Sequence, residues 1–240
     1  MNANNPAITL AIDTASSVFS VALEAAAEQW YFEADAGTRH AQLVMEIADI
    51  LFKKASLKPS DLSRVVCMNG PGSFTGLRIG FSCAKGLALS LDIPFTAISS
   101  LDCMAYPYSM WPGFVMPVID AKKRAWFCAL YSGGERLTGD MDAGAGAIAG
   151  IITKNILRQD AKAELLLTGP QCGKLYNELI AIPWPEENVK IKTAPGSRSG
   201  CDRELLAIAK NQKITDSGKI NYNSGPEYIR KSDAEINIGR

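Results

Sequence analysis

The chain has 240 residues, of which 47% are hydrophobic, and this is enough for one large domain or two small ones with a packed core. Its 25 Lys and Arg residues balance its 25 Asp and Glu residues, which excludes a global field that draws the whole chain to nucleic acid or to an anionic membrane. The start, MNANNPAITL, lacks the basic flank and apolar core of a signal peptide, and no run approaches the roughly 20 apolar residues that span a bilayer. We therefore expect a cytoplasmic protein without a membrane contact.

Hydrophobic periodicity predicts alternating strands and helices. In the first half we expect strands at 8–13, 18–24 and 29–33, a helix at 40–55, a strand at 64–69, a helix at 75–92 and a strand at 94–99. In the second half we expect strands at 115–120 and 125–132, a helix at 147–158, a strand at 163–168, and helices at 173–181 and 202–210. A loop is predicted at 183–195, and the polar tail from residue 211 onward is predicted to dock through PEYIRK at 226–231.

The two halves repeat one pattern of markers. An apolar strand ends at Asp13 and another at Asp120, 107 residues later, and a strand leads into Gly-Pro at Gly70 and again at Gly169, 99 residues later. Near-equal offsets indicate an internal duplication of a strand–strand–strand–helix–strand–helix unit, which gives an α/β protein of two lobes. We predict an N-terminal lobe at 1–105 that carries the partner-binding helices, a C-terminal lobe at 106–220, and a tail at 221–240 that docks back on the body.

The segment NGPGSFTGLRIGFSCAKGLA at 69–88 couples a glycine-rich turn to an apolar helix. Its small residues recur at every fourth position, so they share one helical face that allows close approach of another helix: Gly76, Gly80, Ala84 and Ala88. The turn before the helix has the glycines and the Ser cap that can also hold a phosphate. The segment therefore leaves two interpretations open, a partner surface and a nucleotide site.

Three sequence blocks together resemble the bacterial TsaB (YeaZ) family. They are LAIDTASSVFSVAL at 10–23, GPGSFTGLRIG followed by AKGLA at 70–88, and PEYIRKSDAE at 226–235, in the order that the family has them. The resemblance implies the duplicated fold shared by actin, Hsp70 and sugar kinases (the ASKHA fold), with two βββαβα-type lobes. It also implies a supporting role in making the threonylcarbamoyladenosine base of tRNA.

The catalytic chemistry of relatives is not expected here. His40 is the one histidine, so a zinc site built on several imidazoles is excluded. The resemblance extends to a catalytic paralogue, TsaD, whose HxxxH metal pair corresponds to Ser100 and Met104 of this chain. We therefore expect no metal site, no catalytic residue and an inactive paralogue. The six cysteines are scattered through mostly apolar runs without a CxxC pair, which predicts buried reduced thiols of raised pKa.

A residual nucleotide site is a weaker expectation. Acids at the positions of Asp13 and Asp120 hold a metal near the nucleotide phosphates in the actin and Hsp70 fold, and Thr14 and Lys122 could add donors. The hairpin after Asp13 lacks the glycines that let a backbone approach a phosphate closely. Two interpretations stay open: weak ATP or ADP binding without a required cofactor, or two acids that cap turns at strand ends.

A partner interface is predicted on the two helices at 40–55 and 75–92. The second helix is apolar on nearly every side, so more than one of its sides must be buried against other parts of the protein or a partner. The predicted interface residues are His40, Val44, Ile47, Leu51, Thr75, Gly76, Leu77, Gly80, Ala84 and Leu87. A bulky residue at Gly80 or Ala84 is expected to weaken partner binding while the monomer stays folded. The alternative is that the whole helix belongs to the core of one domain.

The resemblance implies a noncatalytic subunit of the tRNA N6-threonylcarbamoyladenosine (t6A37) modification complex. Such a subunit pairs with TsaD as a heterodimer, joins the ATPase TsaE in a larger complex, forms a homodimer when alone and contacts tRNA only indirectly. Two alternatives remain: an ATP-binding kinase or hydrolase of the actin/Hsp70 fold, and a glycoprotease-like metallopeptidase.

Overall fold

The computed structural model describes residues 7–156, 163–183, 189–194, 200–211 and 225–229, and these residues form two units. The first unit contains the described residues of 1–103 and 199–227, and the second contains those of 104–198 and 228–240. In chain order the elements are β1 (Thr9–Asp13), β2 (Val18–Ala25), β3 (Glu28–Asp35), α1 (His40–Lys54), β4 (Arg64–Gly70), α2 (Phe74–Leu91), β5 (Phe95–Ser99), α3 (Ser100–Ala105), β6 (Phe114–Asp120), β7 (Trp126–Cys128), β8 (Tyr131–Ser132), β9 (Glu135–Arg136), β10 (Met141–Ala143), α4 (Ala145–Asn155), β11 (Ala163–Thr168), α5 (Cys172–Ile180), β12 (Val189–Thr193) and α6 (Asp202–Asn211).

The two units repeat one sheet topology, which confirms the predicted duplicated α/β fold. The first sheet has the order β3-β2-β1-β4-β5, and the main path of the second has the order β10-β7-β6-β11-β12. In the first sheet β1 runs antiparallel to β2 and parallel to β4; in the second, β6 runs antiparallel to β7 and parallel to β11. Asp13 and Asp120 end equivalent strands; Gly70 ends β4 and Gly169 directly follows the equivalent β11, with φ of 107° and 103°.

Each unit has its own core. The strand TLAID of β1 is buried along its whole length, as expected of a central strand covered on both faces. Helices α1 and α2 pack on each other and on the first sheet, and the apolar side of α1 enters that core through positions three and four apart. In the second unit, helices α4 and α5 contribute to the core beside β6, β7 and β11.

Helix α6 packs on β1, β2 and β4 and belongs to the first unit. The sequence predicts this helix in the C-terminal lobe at 106–220, but its apolar residues Leu205, Leu206 and Ala209 are buried against the first sheet. The guanidinium of Arg64 at the start of β4 donates through Nη1 to the carbonyl of Ala209, 2.5 Å away. The last described helix therefore completes the first unit instead of the second.

Several predicted bounds differ from the structure. The loop predicted at 183–195 is wrong over β12, where Val189 and Ile191 alternate with Lys190 and Lys192 as in a half-covered strand. The strand predicted at 125–132 divides into β7 and β8, which pair with different parts of β6. Helix α3 was not predicted. The end of the helix predicted at 147–158 lies outside the described residues.

Part of the predicted docking segment is described. The Glu227 N–H donates to the carbonyl of Asn69, 2.9 Å away, so this part of the tail lies beside the end of β4. Residues 230–235 of the PEYIRKSDAE block lie outside the described residues. No helix in the described part of the chain combines the length and the apolar character that a bilayer crossing requires.

Candidate functional site

The glycine-rich turn closes on the chain's own first hairpin. Ser73 caps α2 by accepting a hydrogen bond from the Gly76 N–H, and its own N–H donates to the carbonyl of Ala15 at 2.7 Å. A Cβ placed on Gly72 would overlap the backbone of Ala15. The space that a phosphate would need beside this turn is therefore filled by the loop between β1 and β2.

The stripe of small residues faces the interior of the first unit. Gly76 and Gly80 lie against Thr14, whose hydroxyl donates to the carbonyl of Gly76 at 2.7 Å. A Cβ on Gly76 would overlap the Thr14 carbonyl, and a Cβ on Gly80 would overlap its hydroxyl. Ala84 lies in the same core. A bulky residue at Gly80 or Ala84 is thus expected to destabilise the monomer itself, contrary to the expectation from sequence.

Most predicted interface residues on α1 and α2 are buried inside the unit. On α1, His40, Val44, Ile47 and Leu51 are all buried, and the His40 ring packs edge-on against Phe19. On α2, Leu77 is buried as well, Leu87 is half-buried, and Thr75 is exposed. The two helices do lie side by side as predicted, but the residues chosen from the sequence are mainly those that join them to the sheet.

A largely different set of residues on α1 and α2 is exposed, and it shares only Thr75 with the predicted interface. Met45 on α1 is 50% exposed and Leu89 on α2 is 37% exposed. We define the outer face as a set of exposed or half-buried residues on these two helices: Met45, Ile50, Thr75, Ile79, Ser82, Cys83, Gly86 and Leu89. This face combines apolar side chains with small ones. Sequence reasoning missed it because Gly76 and Gly80 gave the more regular pattern of small residues.

Both carboxylate oxygens of Asp13 accept hydrogen bonds from backbone N–H groups. One carboxylate oxygen accepts the Ala15 N–H at 2.9 Å, and the other accepts the Cys201 N–H at 2.9 Å. Burial raises the pKa of Asp13, and these two hydrogen bonds act in the opposite direction. Thr14 beside it is buried and bonded to Gly76. Asp13, in the first half of the predicted nucleotide site, therefore serves to link the end of β1 to the start of α6.

Asp120 lies in a more open and more basic setting. It accepts the Lys122 N–H at 2.8 Å and the Lys174 ammonium at 3.0 Å, and the Lys122 ammonium is 3.7 Å from it. Burial acts to raise the pKa of Asp120, but the Lys174 and Lys122 interactions outweigh burial and hold that pKa below its usual value. The second half of the predicted nucleotide site is thus an ionised carboxylate surrounded by exposed cations.

A cluster of acids around the start of α6 was not predicted. Asp202 is buried, and its Oδ2 has no hydrogen-bond partner among the described residues. Burial, together with nearby Asp13, Glu204 and Glu33, raises the pKa of Asp202 to about 6. The Glu33 carboxylate accepts the Gly200 N–H at 2.8 Å. No local sequence signal joins β1, β3 and α6, so only the fold brings these acids together.

The thiols are buried as expected. Cys83 is half-buried, while the other five cysteines are buried, and all six are free. Burial raises the pKa of the Cys67 and Cys83 thiols and that of Cys128 to about 12, in the direction predicted from their apolar sequence context. Ser100 and Met104 both lie on α3, one helical turn apart, and Ser100 is buried.

The chain matches the model of the family described as TsaD: tRNA N6-adenosine threonylcarbamoyltransferase over residues 34–238. It is 40% identical to the tRNA threonylcarbamoyladenosine biosynthesis protein TsaB of Bacillus subtilis over 92 residues, which are 38% of this chain and 40% of that protein. It is 36% identical to TsaB of Escherichia coli over 97 residues, which are 40% of this chain and 42% of that protein. The match therefore spans about two fifths of the length of these relatives.

Among solved structures, a Pseudomonas aeruginosa protein described as similar to peptidase YEAZ superposes with a TM-score of 0.70 at 23% identity, over 93% of this chain and 100% of that one. YeaZ from Pseudomonas aeruginosa superposes with a TM-score of 0.65 at 24% identity, over 85% of this chain and 92% of that one. These two similarities concern the fold alone. The chain belongs to the family described as TsaD: tRNA N6-adenosine threonylcarbamoyltransferase, and its similarity to TsaB proteins confirms the resemblance predicted from its sequence.

Proposed function

We propose that this chain is a noncatalytic subunit of the complex that makes N6-threonylcarbamoyladenosine at position 37 of tRNA. The proposal rests on the match of residues 34–238, which include parts of both units, to the TsaD family model. It rests also on the sequence similarity of the chain to the TsaB proteins of two bacteria. In this role the chain pairs with a TsaD-type catalytic subunit and joins the ATPase TsaE in the cytoplasm. The partner holds most of the tRNA, since this chain has no net charge.

The side chains of the chain support a noncatalytic role. Ser100 and Met104 stand one turn apart on α3, where the resemblance places two metal-binding histidines, and a hydroxyl and a thioether are poor substitutes for imidazole. Asp13, the first acid of the predicted nucleotide site, has both carboxylate oxygens bonded to backbone N–H groups. We infer that the first unit works without a bound nucleotide.

The outer face of α1 and α2 is our candidate for the contact with TsaD. It presents apolar side chains to solvent on two adjacent helices, and its small residues allow another helix to approach closely. Docking there favours the catalytically competent conformation of the catalytic subunit if the chain binds that conformation more tightly than the inactive one. The difference between the two binding free energies sets the size of the shift. When TsaD is absent, a second copy of the chain covers the same face.

Reconstitution tests this proposal. TsaD and TsaE would be supplied with unmodified tRNA, threonylcarbamoyl adenylate and ATP, with and without this chain, and base modification would be followed by mass spectrometry of nucleosides. We expect modification to depend on the chain. Undiminished modification in its absence would remove the proposed role. Calorimetric titration of the isolated chain with ATP is expected to show no binding that depends on Asp13.

A further inference from the structure

Strand β3 lies at one end of the first sheet, and β2 is its one pairing partner among the described residues. Its eight residues, EQWYFEAD, pair with β2 in one continuous register, without a bulge or a proline. The strands at the other ends of the two sheets are shorter, since β5 and β12 have five residues each and β10 has three. A long and regular edge strand is a template on which another strand can pair.

The backbone groups on the open side of β3 belong to its odd-numbered residues. Directly after β3, the Ala36 N–H donates to the carbonyl of Ser17 at 3.1 Å and continues the register of the two strands. Hydrogen-bonded pairs alternate along an antiparallel ladder, so the even-numbered residues of β3 bond to β2. The residues whose N–H and carbonyl groups point away from β2 are Gln29, Tyr31, Glu33 and Asp35. These groups have no hydrogen-bond partner in the part of the chain that the structure describes.

The side chains of β3 alternate between the two faces of the sheet. Trp30 and Phe32 are half-buried and pack against the core that α1 and α2 share with the sheet. Glu33 and Asp35 lie on the opposite face and are exposed, and Glu33 accepts the Gly200 N–H at 2.8 Å. A strand added to this edge would therefore place its side chains alternately beside two aromatic rings and beside two acids.

The charge of β3 selects among the strands that could pair with it. Its charged residues are all acids and all exposed: Glu28, Glu33 and Asp35. Two nearby cations are already engaged, since Arg203 lies 4.2 Å from the centre of the Tyr31 ring and Lys210 lies 3.5 Å from Glu24. A second copy of β3 would bring three more acids to the edge, and like charges across two strands destabilise their pairing. A cationic strand is complementary to it.

We propose that the open edge of β3 binds an extended segment of another protein in which cationic and apolar side chains alternate. The segment adds a sixth strand to the five-stranded sheet: its backbone bonds to Tyr31 and Glu33, and its cations lie beside Glu33 and Asp35. Its apolar side chains cover Trp30 and Phe32. Main-chain hydrogen bonds supply the affinity, and the alternation supplies the selectivity. This edge contains no residue of the outer face, and the proposal does not depend on the proposed function.

The probe is a fluorescein-labelled peptide as long as β3 that alternates lysine and valine. It is titrated with the full chain and followed by fluorescence anisotropy. We expect saturable binding, and binding about tenfold weaker or less for a peptide that alternates glutamate and valine. The lysine peptide methylated at its backbone nitrogens keeps its charges but loses its N–H donors, so it too should bind about tenfold more weakly. Equal binding of the methylated peptide, or no binding of the lysine peptide, would overturn the proposal.

A pair of charge reversals locates the contact on the chain. Glu28→Lys with Asp35→Lys reverses two exposed acids of β3, and Glu46→Lys with Glu135→Lys is the matched control, since it reverses two exposed acids elsewhere. We expect the β3 variant to bind the lysine peptide about tenfold more weakly and the control to stay within about twofold of the wild type. Equal weakening by both variants would show attraction without a site and would overturn the proposal.

Tyr31→Pro tests the backbone of the edge. Proline removes one N–H that points away from β2 and leaves the hydrogen bonds to β2 in place, so we expect a folded variant that binds the lysine peptide about tenfold more weakly. Circular dichroism and the melting temperature check the fold, and the methylated peptide decides the same question if this variant does not fold. Full affinity of a folded Tyr31→Pro variant would overturn the proposal. So would a dimer of the chain alone that Tyr31→Pro dissolves, since a second copy would then occupy the edge.

Discussion

At the scale of single residues, the polar groups of the first hairpin serve the fold. Asp13 accepts the N–H groups of Ala15 and Cys201, and Thr14 donates to Gly76. Buried polar groups that lose such partners destabilise a protein by about 1–3 kcal/mol each. The sequence shows that an acid ends β1, but it cannot show that the partner of this acid lies 188 residues further along the chain.

The glycines of α2 allow a matched pair of substitutions. Gly76→Ala places a methyl group against the Thr14 carbonyl, and we expect the free energy of unfolding to fall by about 1–3 kcal/mol. Gly86→Ala on the same helix meets nothing within 4 Å, and we expect a gain of about 1 kcal/mol from helix propensity. Urea unfolding followed by circular dichroism measures both. Equal effects of the two substitutions would show that the Gly76 stripe is not packed in the core.

The acid cluster at the start of α6 predicts a pH dependence of stability. The folded chain raises the pKa of Asp202 from 3.8 to about 6, so the folded state binds its proton more tightly than the unfolded state does. Stability is therefore full below about pH 4 and is lost as the pH rises to about 6, by about 2–3 kcal/mol for this group. Asp202→Asn should remove that loss and be more stable than the wild type at pH 7. Urea midpoints across this pH range measure the difference, and parallel profiles of the two proteins would contradict it.

At the scale of elements, periodicity predicts that helices exist more reliably than it predicts which face they bury. The helices predicted at 40–55 and 75–92 are present as α1 and α2 within one residue at each end. Helix α2 is apolar on nearly every side, so the pattern alone could not decide whether Gly80 or Gly86 faces the interior. That choice depends on Thr14, which belongs to another element.

The outer face gives a prediction at this scale. Met45→Lys with Leu89→Lys should weaken association with TsaD at least tenfold, because two exposed apolar contacts are replaced by charges. The free energy of unfolding of the monomer should change by no more than about 0.5 kcal/mol, as for other exposed positions. Ile180→Lys with Leu137→Lys is the matched control, since these residues are 47% and 44% exposed in the second unit. Titration calorimetry measures the affinity, and equal weakening by both pairs would remove the outer face as the contact.

At the scale of the whole molecule, the duplication was visible in the sequence. Asp13 and Asp120, with Gly70 and Gly169, mark equivalent strand ends, and the two sheets repeat the same order of strands. The placement of α6 in the first unit was not visible, because its amphipathic pattern fits either sheet. Strand β12 was missed because prolines and charges around Val189 resemble those of a loop.

The central claim is that α1 and α2 present a face that another polypeptide covers. Sedimentation velocity of the chain with a TsaD subunit, and of the chain alone, tests it most directly. We predict a species of one chain with one TsaD in the mixture, and a concentration-dependent dimer for the chain alone. A chain that sediments as a monomer at high concentration, both alone and beside TsaD, would contradict the account.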